Sequence, residues 1–185
     1  MQVAVIGTGR CGTSSLARWL PGAEQEVQHH RLCAAMGPWD IFAAISELLP
    51  PYVVEPHLGL FLPWSHLVWP DAKYVWVQRE REPTVDSMMR WGWYRSHTSP
   101  SCSDIWVLTK PQPPDTTWDE RRKCEWFYDH YMETCQAGWD QLPPDAKHVF
   151  HIEWANNPEA CGALARFVDR PDLINIPIPH ANRTQ

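Results

Sequence analysis

The sequence predicts an α/β protein in which helices flank a parallel β-sheet. Short apolar runs with β-favouring residues alternate with longer runs of helical spacing along most of the 185 residues. At the start of the chain, one such apolar run is followed by three glycines and then by three hydroxyl residues. Alternating strands and helices favour parallel strands joined by right-handed crossovers. We therefore expect one three-layer domain that spans residues 1–185.

Each element follows from a local pattern. Residues 3–6 are apolar and predict the first strand, which Gly7, Gly9 and Gly12 end in a turn. The hydroxyl residues at 13–15 are predicted to cap a first helix that continues to residue 20. Further strands are predicted at 24–30, 52–55, 74–78 and 148–152, and further helices at 39–49, within 57–68, from about 83 to 93, at 118–137 and at 158–168.

Two boundaries and two irregular segments complete the prediction. Asp115 or Thr117 is expected to open the helix at 118–137, and Gly138 is expected to close it. Residues 96–117 are rich in Ser, Pro and Thr and predict a surface loop or lid. The tail from residue 169 is predicted to be irregular.

Composition excludes several classes of function. A formal net charge of −6 and a pI near 5.8 disfavour a protein that binds the nucleic-acid backbone. The six cysteines form no C-x-x-C pair, so no zinc site is predicted and reduced thiols are expected. The first strand begins almost immediately after Met1 and no apolar run has membrane-spanning length, so a cytoplasmic protein without membrane contact is expected. The twelve tryptophans indicate that some line a pocket.

The opening stretch indicates an anion-binding site. A strand, a glycine-rich turn and the start of a helix bring free backbone N–H groups and the positive end of the helix dipole to one point. A dinucleotide-binding turn would also need an acidic residue at the end of the second strand, where His29, His30 and Arg31 stand instead. A nucleoside-triphosphate-binding loop would need a lysine where the chain has Thr13.

A third interpretation rests on two short motifs. The first is Arg-Cys-Gly-Thr-Ser at residues 10–14, and the second is a strand that ends at Arg79 with Ser87 eight residues later. The pair resembles the sulfotransferase family that uses 3′-phosphoadenosine 5′-phosphosulfate and has a P-loop-like fold. In that family, the first motif is the 5′-phosphosulfate loop and the second binds the 3′-phosphate. Cys11 departs from the more usual serine.

Two longer segments resemble the same family. Residues 57–79 resemble the family's segment that leads from a catalytic histidine into the 3′-phosphate strand. Residues 150–173 resemble a stretch near the end of the family's domain, with Glu153, Pro158 and Phe167 in matching places. The resemblance therefore extends thinly over most of the chain and is specific only at the two motifs.

The resemblance implies a function and a set of site residues. The chain would transfer a sulfuryl group from 3′-phosphoadenosine 5′-phosphosulfate to a hydroxyl or amine on a small molecule, glycan or peptide, releasing 3′,5′-adenosine bisphosphate without a metal. The residues expected to bind the donor are Gly9, Arg10, Cys11, Gly12, Thr13, Ser14, Ser15, Arg79, Ser87 and Arg183. The expected catalytic residues are Arg10 and one general base, which is His57, Glu55 or, third, His29 with its neighbour His30.

Other interpretations stay open. Arg81 either assists the phosphate site or pairs with Glu80 or Glu82. A group of aromatic residues forms either a wall for the acceptor or adenine or a part of the core; these are Trp91, Trp93, Tyr94 and Trp106. The alternative functions are a P-loop nucleotide kinase or NTPase, and a catalytically inactive nucleotide-binding or interaction module.

Overall fold

The fold is an all-parallel β-sheet flanked by helices, taken from a computed structural model that describes residues 2–25, 51–94 and 112–180. The sheet has five strands in the order β2-β3-β1-β4-β5. The strands are β1 (Val3–Ile6), β2 (Ala23–Gln25), β3 (Tyr52–Val54), β4 (Lys73–Gln78) and β5 (Lys147–His151). The helices are α1 (Thr13–Trp19), α2 (Leu62–Val68), α3 (Arg81–Trp91), α4 (Glu120–Trp139) and α5 (Pro158–Phe167). Single 3₁₀ segments lie at Pro56–Phe61, Pro144–Ala146, Ile152–Trp154 and Pro171–Leu173.

The sheet separates two hydrophobic cores. Along β1, Ala4 and Ile6 face one core, whereas Val3 and Val5 face the other, as the two-residue period of a strand requires. Helix α4 packs in the first core and α5 in the second. All four residues of β1 are buried. The predicted α/β class, with helices on both faces of a parallel sheet, is confirmed.

Most predicted elements are confirmed within one or two residues. The first strand has the predicted bounds, and the strands predicted at 52–55, 74–78 and 148–152 each differ from the observed strand by one residue at one or both ends. The second strand is short, at Ala23–Gln25, and the rest of its predicted range lies outside the described residues. The predicted helix 39–49 and residues 96–111 of the predicted loop also lie outside them. Residues 112–117 belong to no helix or strand.

The predicted bounds of the longest helix are wrong at both ends. Asp119 is the N-cap, and its Oδ1 accepts a hydrogen bond from the N–H of Arg122 at 2.8 Å. Asp115 instead accepts bonds from the backbone and hydroxyl of Thr117, which form a turn before the helix. Gly138 does not end the helix, which continues to Trp139. This glycine serves close packing, since a Cβ there would lie 2.8 Å from Cβ of Leu62 in α2.

Gly138→Ala is expected to lower the free energy of unfolding by about 1 kcal/mol, because overpacking costs about 1–3 kcal/mol and alanine returns about 1 kcal/mol of helix propensity. Gly162→Ala in α5 is the matched control. A Cβ on Gly162 would meet no atom closer than 3.5 Å, so that variant is expected to gain about 0.5–1 kcal/mol. Urea unfolding of both variants measures the difference. Equal gains in both would show that α2 and α4 are not in tight contact at Gly138.

No helix in the described ranges is long and apolar enough to cross a membrane.

Candidate functional site

The carboxyl ends of three neighbouring strands meet at one edge of the sheet. Strand β1 pairs with β3 on one side and with β4 on the other, in parallel in both cases. The chain passes from β1 to β2 and β3 on one side, and then crosses to β4 and β5 on the other. Open parallel sheets bind ligands outside the carboxyl ends of the strands at such a reversal of strand order. The candidate site is therefore built by the segments that follow β1, β3 and β4, which begin at Gly7, Glu55 and Arg79.

The turn after β1 has three residues with positive φ. These angles are +74° at Gly9, +56° at Arg10 and +107° at Gly12. Arg10 and Asp169 are the two non-glycine residues with positive φ in the described ranges. Turns of this kind form concavities of backbone N–H groups that bind anions. The glycine turn predicted from the sequence is thus present, with an arginine in its strained position.

Two side chains pack directly on these glycines. A Cβ added to Gly9 would lie 2.8 Å from Cη2 of Trp93, and one added to Gly12 would lie 2.6 Å from Cδ1 of Ile152. Trp93 follows α3, and Ile152 follows β5. The glycines therefore allow the turn to approach two neighbouring segments as well as to adopt its backbone angles.

The prediction that hydroxyl residues cap α1 is wrong. Gly12 is the N-cap, and no side chain caps the helix. Thr13 and Ser15 lie inside the helix and are 4% and 8% exposed, which leaves Ser14 as the more accessible hydroxyl. Cys11 is 1% exposed, and burial raises the pKa of its thiol. The Cys11 side chain is thus a neutral packing group.

The two sequence motifs meet in space. Nε of Arg10 donates a hydrogen bond to Oγ of Ser87 at 3.3 Å, and Nη1 of Arg79 donates to the carbonyl of Arg10 at 3.2 Å. Ser87 is 7% exposed and is the seventh residue of α3, which starts two residues after Arg79. The side chain of Arg10 therefore contacts Ser87, and the guanidinium of Arg79 contacts the backbone of Arg10, although Arg10 and Arg79 are 69 residues apart.

Arg81 does not belong to this cluster in the structure. Its guanidinium donates two hydrogen bonds to the carboxylate of Asp129 in α4, both at 2.9 Å, in a bidentate arrangement. It donates a third hydrogen bond to Glu82 at 3.0 Å. Bonding to Asp129 raises the pKa of the Arg81 guanidinium. The interpretation of Arg81 as an ion-pair partner of its neighbours is therefore favoured. Its main partner is Asp129, which the sequence analysis did not name.

Glu55 reaches the same edge from β3. Its backbone N–H donates to the carbonyl of Val5 at 3.0 Å, which continues the pairing between β3 and β1, and its side chain is 1% exposed. The backbone of His57 lies in the 3₁₀ segment Pro56–Phe61, directly after Glu55, and its side chain lies outside the described part of the structure. Both candidate bases are therefore attached to the strand end next to the glycine turn.

Several predicted residues lie outside the described ranges. These are His29, His30, Trp106 and Arg183. The described aromatic residues are divided between core and surface. Trp93 is 3% exposed and packs on Phe127 with ring centroids 5.5 Å apart, whereas Trp91 is 39% exposed and lies 5.8 Å from the guanidinium carbon of Arg10. Of the four aromatic residues named in the sequence analysis, Trp91 is the one that the described part of the structure shows to be both exposed and close to Arg10. Within the described residues, no group of three or more His, Cys, Asp or Glu could hold a metal ion.

The sequence analysis did not identify two tyrosines of α4 whose hydroxyl groups bind backbone atoms of the site. The hydroxyl of Tyr131 accepts a bond from the N–H of Gly7 at 3.1 Å and donates to the carbonyl of Pro56 at 2.6 Å. The hydroxyl of Tyr128 donates to the carbonyl of Arg79 at 2.9 Å. The sequence analysis predicted the helix that carries them. No sequence signal distinguished them from ordinary core tyrosines.

Glu153, which lies in the segment 150–173 described above, also contacts the site. Oε1 of Glu153, in the 3₁₀ segment after β5, accepts a hydrogen bond from the N–H of Glu80 at 3.3 Å. This contact ties the end of β5 to the segment that carries Arg79.

Comparisons with known proteins assign no family to the chain. The resemblance to sulfotransferases therefore stays a prediction from the two motifs and the two longer segments. No protein-family model matches the chain, and no curated protein matches it significantly.

Proposed function

We propose that this protein is a sulfotransferase that moves a sulfuryl group from 3′-phosphoadenosine 5′-phosphosulfate to a hydroxyl or amine acceptor. The observation that carries the proposal is the meeting of the two motifs at one edge of the sheet. Arg10 of the first motif is hydrogen-bonded to both Ser87 and Arg79 of the second. The sulfotransferase resemblance requires such a meeting, because one donor molecule carries both the 5′-phosphosulfate and the 3′-phosphate.

The residues of this cluster suit a donor with two anionic ends. The turn at residues 9–12 supplies backbone N–H groups and the Arg10 guanidinium for the phosphosulfate. Arg79 and Ser87 supply a guanidinium fork and a hydroxyl for the 3′-phosphate, and such charge-assisted bonds are about twice as strong as neutral ones. The net charge of −6 does not oppose binding of an anion at this site, because Arg10 and Arg79 are in contact there.

The chemistry needs a base, an in-line approach and charge neutralisation. The acceptor oxygen or nitrogen attacks sulfur, the bond from sulfur to the bridging 5′-phosphate oxygen breaks, and 3′,5′-adenosine bisphosphate leaves. Glu55 or His57 takes the proton of the acceptor, since both are attached to the strand end next to the turn. Arg10 stabilises the charge that develops on the leaving phosphate and on the equatorial oxygens.

Calorimetry with 3′,5′-adenosine bisphosphate, ATP with Mg²⁺, and NAD tests the binding half of the proposal. We expect the bisphosphate to bind and the other two nucleotides to bind at least tenfold more weakly. Tight binding of ATP instead would favour the kinase or NTPase alternative, which Thr13 at the lysine position disfavours. Binding of NAD alone would favour a dinucleotide-binding protein.

An assay of sulfuryl transfer to a panel of phenols, alcohols, amines and glycans tests the catalytic half. Glu55→Gln and His57→Ala are compared separately, with binding of the bisphosphate measured for each. The base is expected to be the residue whose change lowers transfer about 10²–10⁴-fold while binding is kept. Bisphosphate binding without transfer to any acceptor would favour the inactive nucleotide-binding module.

A further inference from the structure

Two tyrosines on α4 connect the three segments that form the candidate site. Tyr128 and Tyr131 are three residues apart, so they lie on neighbouring positions of one helix face. Their hydroxyl groups bind backbone atoms of Arg79, Gly7 and Pro56. Arg79 directly follows β4, and Gly7 directly follows β1. Pro56 is the second residue after β3. One helix is therefore bonded to three adjacent strand ends.

The Tyr131 hydroxyl is held in a fully defined position. Tyr131 is 1% exposed, and its hydroxyl uses its proton on Pro56 and a lone pair on Gly7. Gly59 has no side chain at the place where a Cβ would collide with this hydroxyl. Burial raises the pKa of Tyr131 well above its usual value, so the hydroxyl stays protonated and keeps both bonds. Phenylalanine would fill the same space and lose both contacts.

The bonded backbone atoms lie next to functional side chains. Gly7 begins the turn that carries Arg10, and Pro56 stands between the two candidate bases. The Tyr131 hydroxyl therefore joins the anion turn to the segment of Glu55 and His57. Tyr128 acts in the same way on the other side, because the carbonyl that it binds belongs to Arg79 itself.

We propose that Tyr128 and Tyr131 are positioning residues, which fix the arginines of the anion site and the candidate bases relative to one another through their backbone hydrogen bonds. This inference rests on the proposed function, since a sulfuryl donor gives these distances their meaning. Tyr128 sets the 3′-phosphate side, and Tyr131 sets the separation of the phosphosulfate turn from the base. Neither hydroxyl touches the reacting groups in this assignment.

Tyr128→Phe and Tyr131→Phe are compared with Tyr74→Phe as a matched control. Tyr74 is a tyrosine of the same core, and within the described residues its buried hydroxyl has no hydrogen-bond partner. Calorimetry with 3′,5′-adenosine bisphosphate is expected to show about tenfold weaker binding for Tyr128→Phe, from the loss of one hydrogen bond that orients Arg79. Tyr74→Phe is expected to bind like the wild type. Equal binding by the wild type and both α4 variants would overturn the positioning role and leave the proposed function standing.

Amide hydrogen exchange supplies a readout that does not depend on the ligand. The Gly7 amide is expected to exchange about tenfold faster in Tyr131→Phe than in the wild type, relative to the amide of Val5, and to be unchanged in Tyr74→Phe. If the wild type does not bind the bisphosphate, the proposed function fails and the positioning role fails with it, and the exchange of Gly7 then tests only the hydrogen bond from Gly7 to Tyr131. An unchanged Gly7 amide would contradict that hydrogen bond. Tyr128 is only half-buried, so its variant is expected to fold even if Tyr131→Phe does not.

Discussion

Arg79→Ala is expected to weaken binding of 3′,5′-adenosine bisphosphate about a hundredfold, because a charge-assisted hydrogen bond contributes about 1.5–3 kcal/mol and tenfold in affinity corresponds to about 1.4 kcal/mol. The variant loses the guanidinium proposed to bind the 3′-phosphate. It also loses the bond from Nη1 to the carbonyl of Arg10, which connects the two motifs. Both losses affect the same ligand, so a large effect on affinity is expected with little effect on the fold.

The chain offers a control only two residues away. Arg81→Ala removes the same type of side chain from the same segment, but this guanidinium binds Asp129 and Glu82 and its side chain is 37% exposed. Exposed ion pairs contribute little to stability, so binding is expected to change less than twofold. Arg79→Lys keeps the charge and loses the fork, and an intermediate affinity is expected. Equal effects at both arginines would contradict the assignment and indicate a general loss of positive charge.

The salt dependence of binding provides a second measurement on the same variants. A phosphate contact that is lost removes part of the electrostatic attraction, so the affinity of Arg79→Ala is expected to fall less steeply with added salt than that of the wild type. The Arg81→Ala variant is expected to keep the wild-type dependence.

The fold and the candidate site could be predicted from the sequence to different extents. The strand at residues 3–6 was predictable to the residue because a strand buried on both faces is uniformly apolar. Arg79 and Ser87 entered the predicted site because a strand that ends in arginine, with a serine eight residues later, resembles the 3′-phosphate motif of sulfotransferases. The contacts of Arg10 with these two residues agree with a general property of parallel sheets, in which the carboxyl ends of strands share one edge.

The remaining parts depend on contacts between distant segments. Nothing local to Tyr131 indicates that its hydroxyl binds Gly7, which is 124 residues away. Nothing local to Gly138 distinguishes a helix-ending glycine from one that admits Leu62 of another helix. The hydroxyl residues after Gly12 had the composition of a cap, but the glycine itself took that place because its φ of +107° is open to no other residue at low cost.

Gly12→Ala is expected to lower the free energy of unfolding by about 2–5 kcal/mol, the sum of about 1–2 kcal/mol for a left-handed backbone and about 1–3 kcal/mol for overpacking. The backbone term arises because φ at Gly12 is +107°. The packing term arises because the new Cβ would lie 2.6 Å from Cδ1 of Ile152, on a residue that follows β5 directly. The turn must therefore either move away from β5 or change its backbone angles. Both responses displace Arg10.

Three further variants separate the backbone contribution from the packing contribution. Gly22→Ala has a φ of +77° and no atom within 4 Å of the new Cβ, so it is expected to lose only the backbone term, about 1–2 kcal/mol. Ile152→Ala opens space beside the new methyl group. Gly12→Ala is therefore expected to lower the free energy of unfolding less in the Ile152→Ala background than in the wild type. Urea unfolding measures all four proteins. A loss at Gly12 no larger than that at Gly22 would mean that Ile152 does not pack on the turn, and the contact between β5 and the anion site would have to be abandoned.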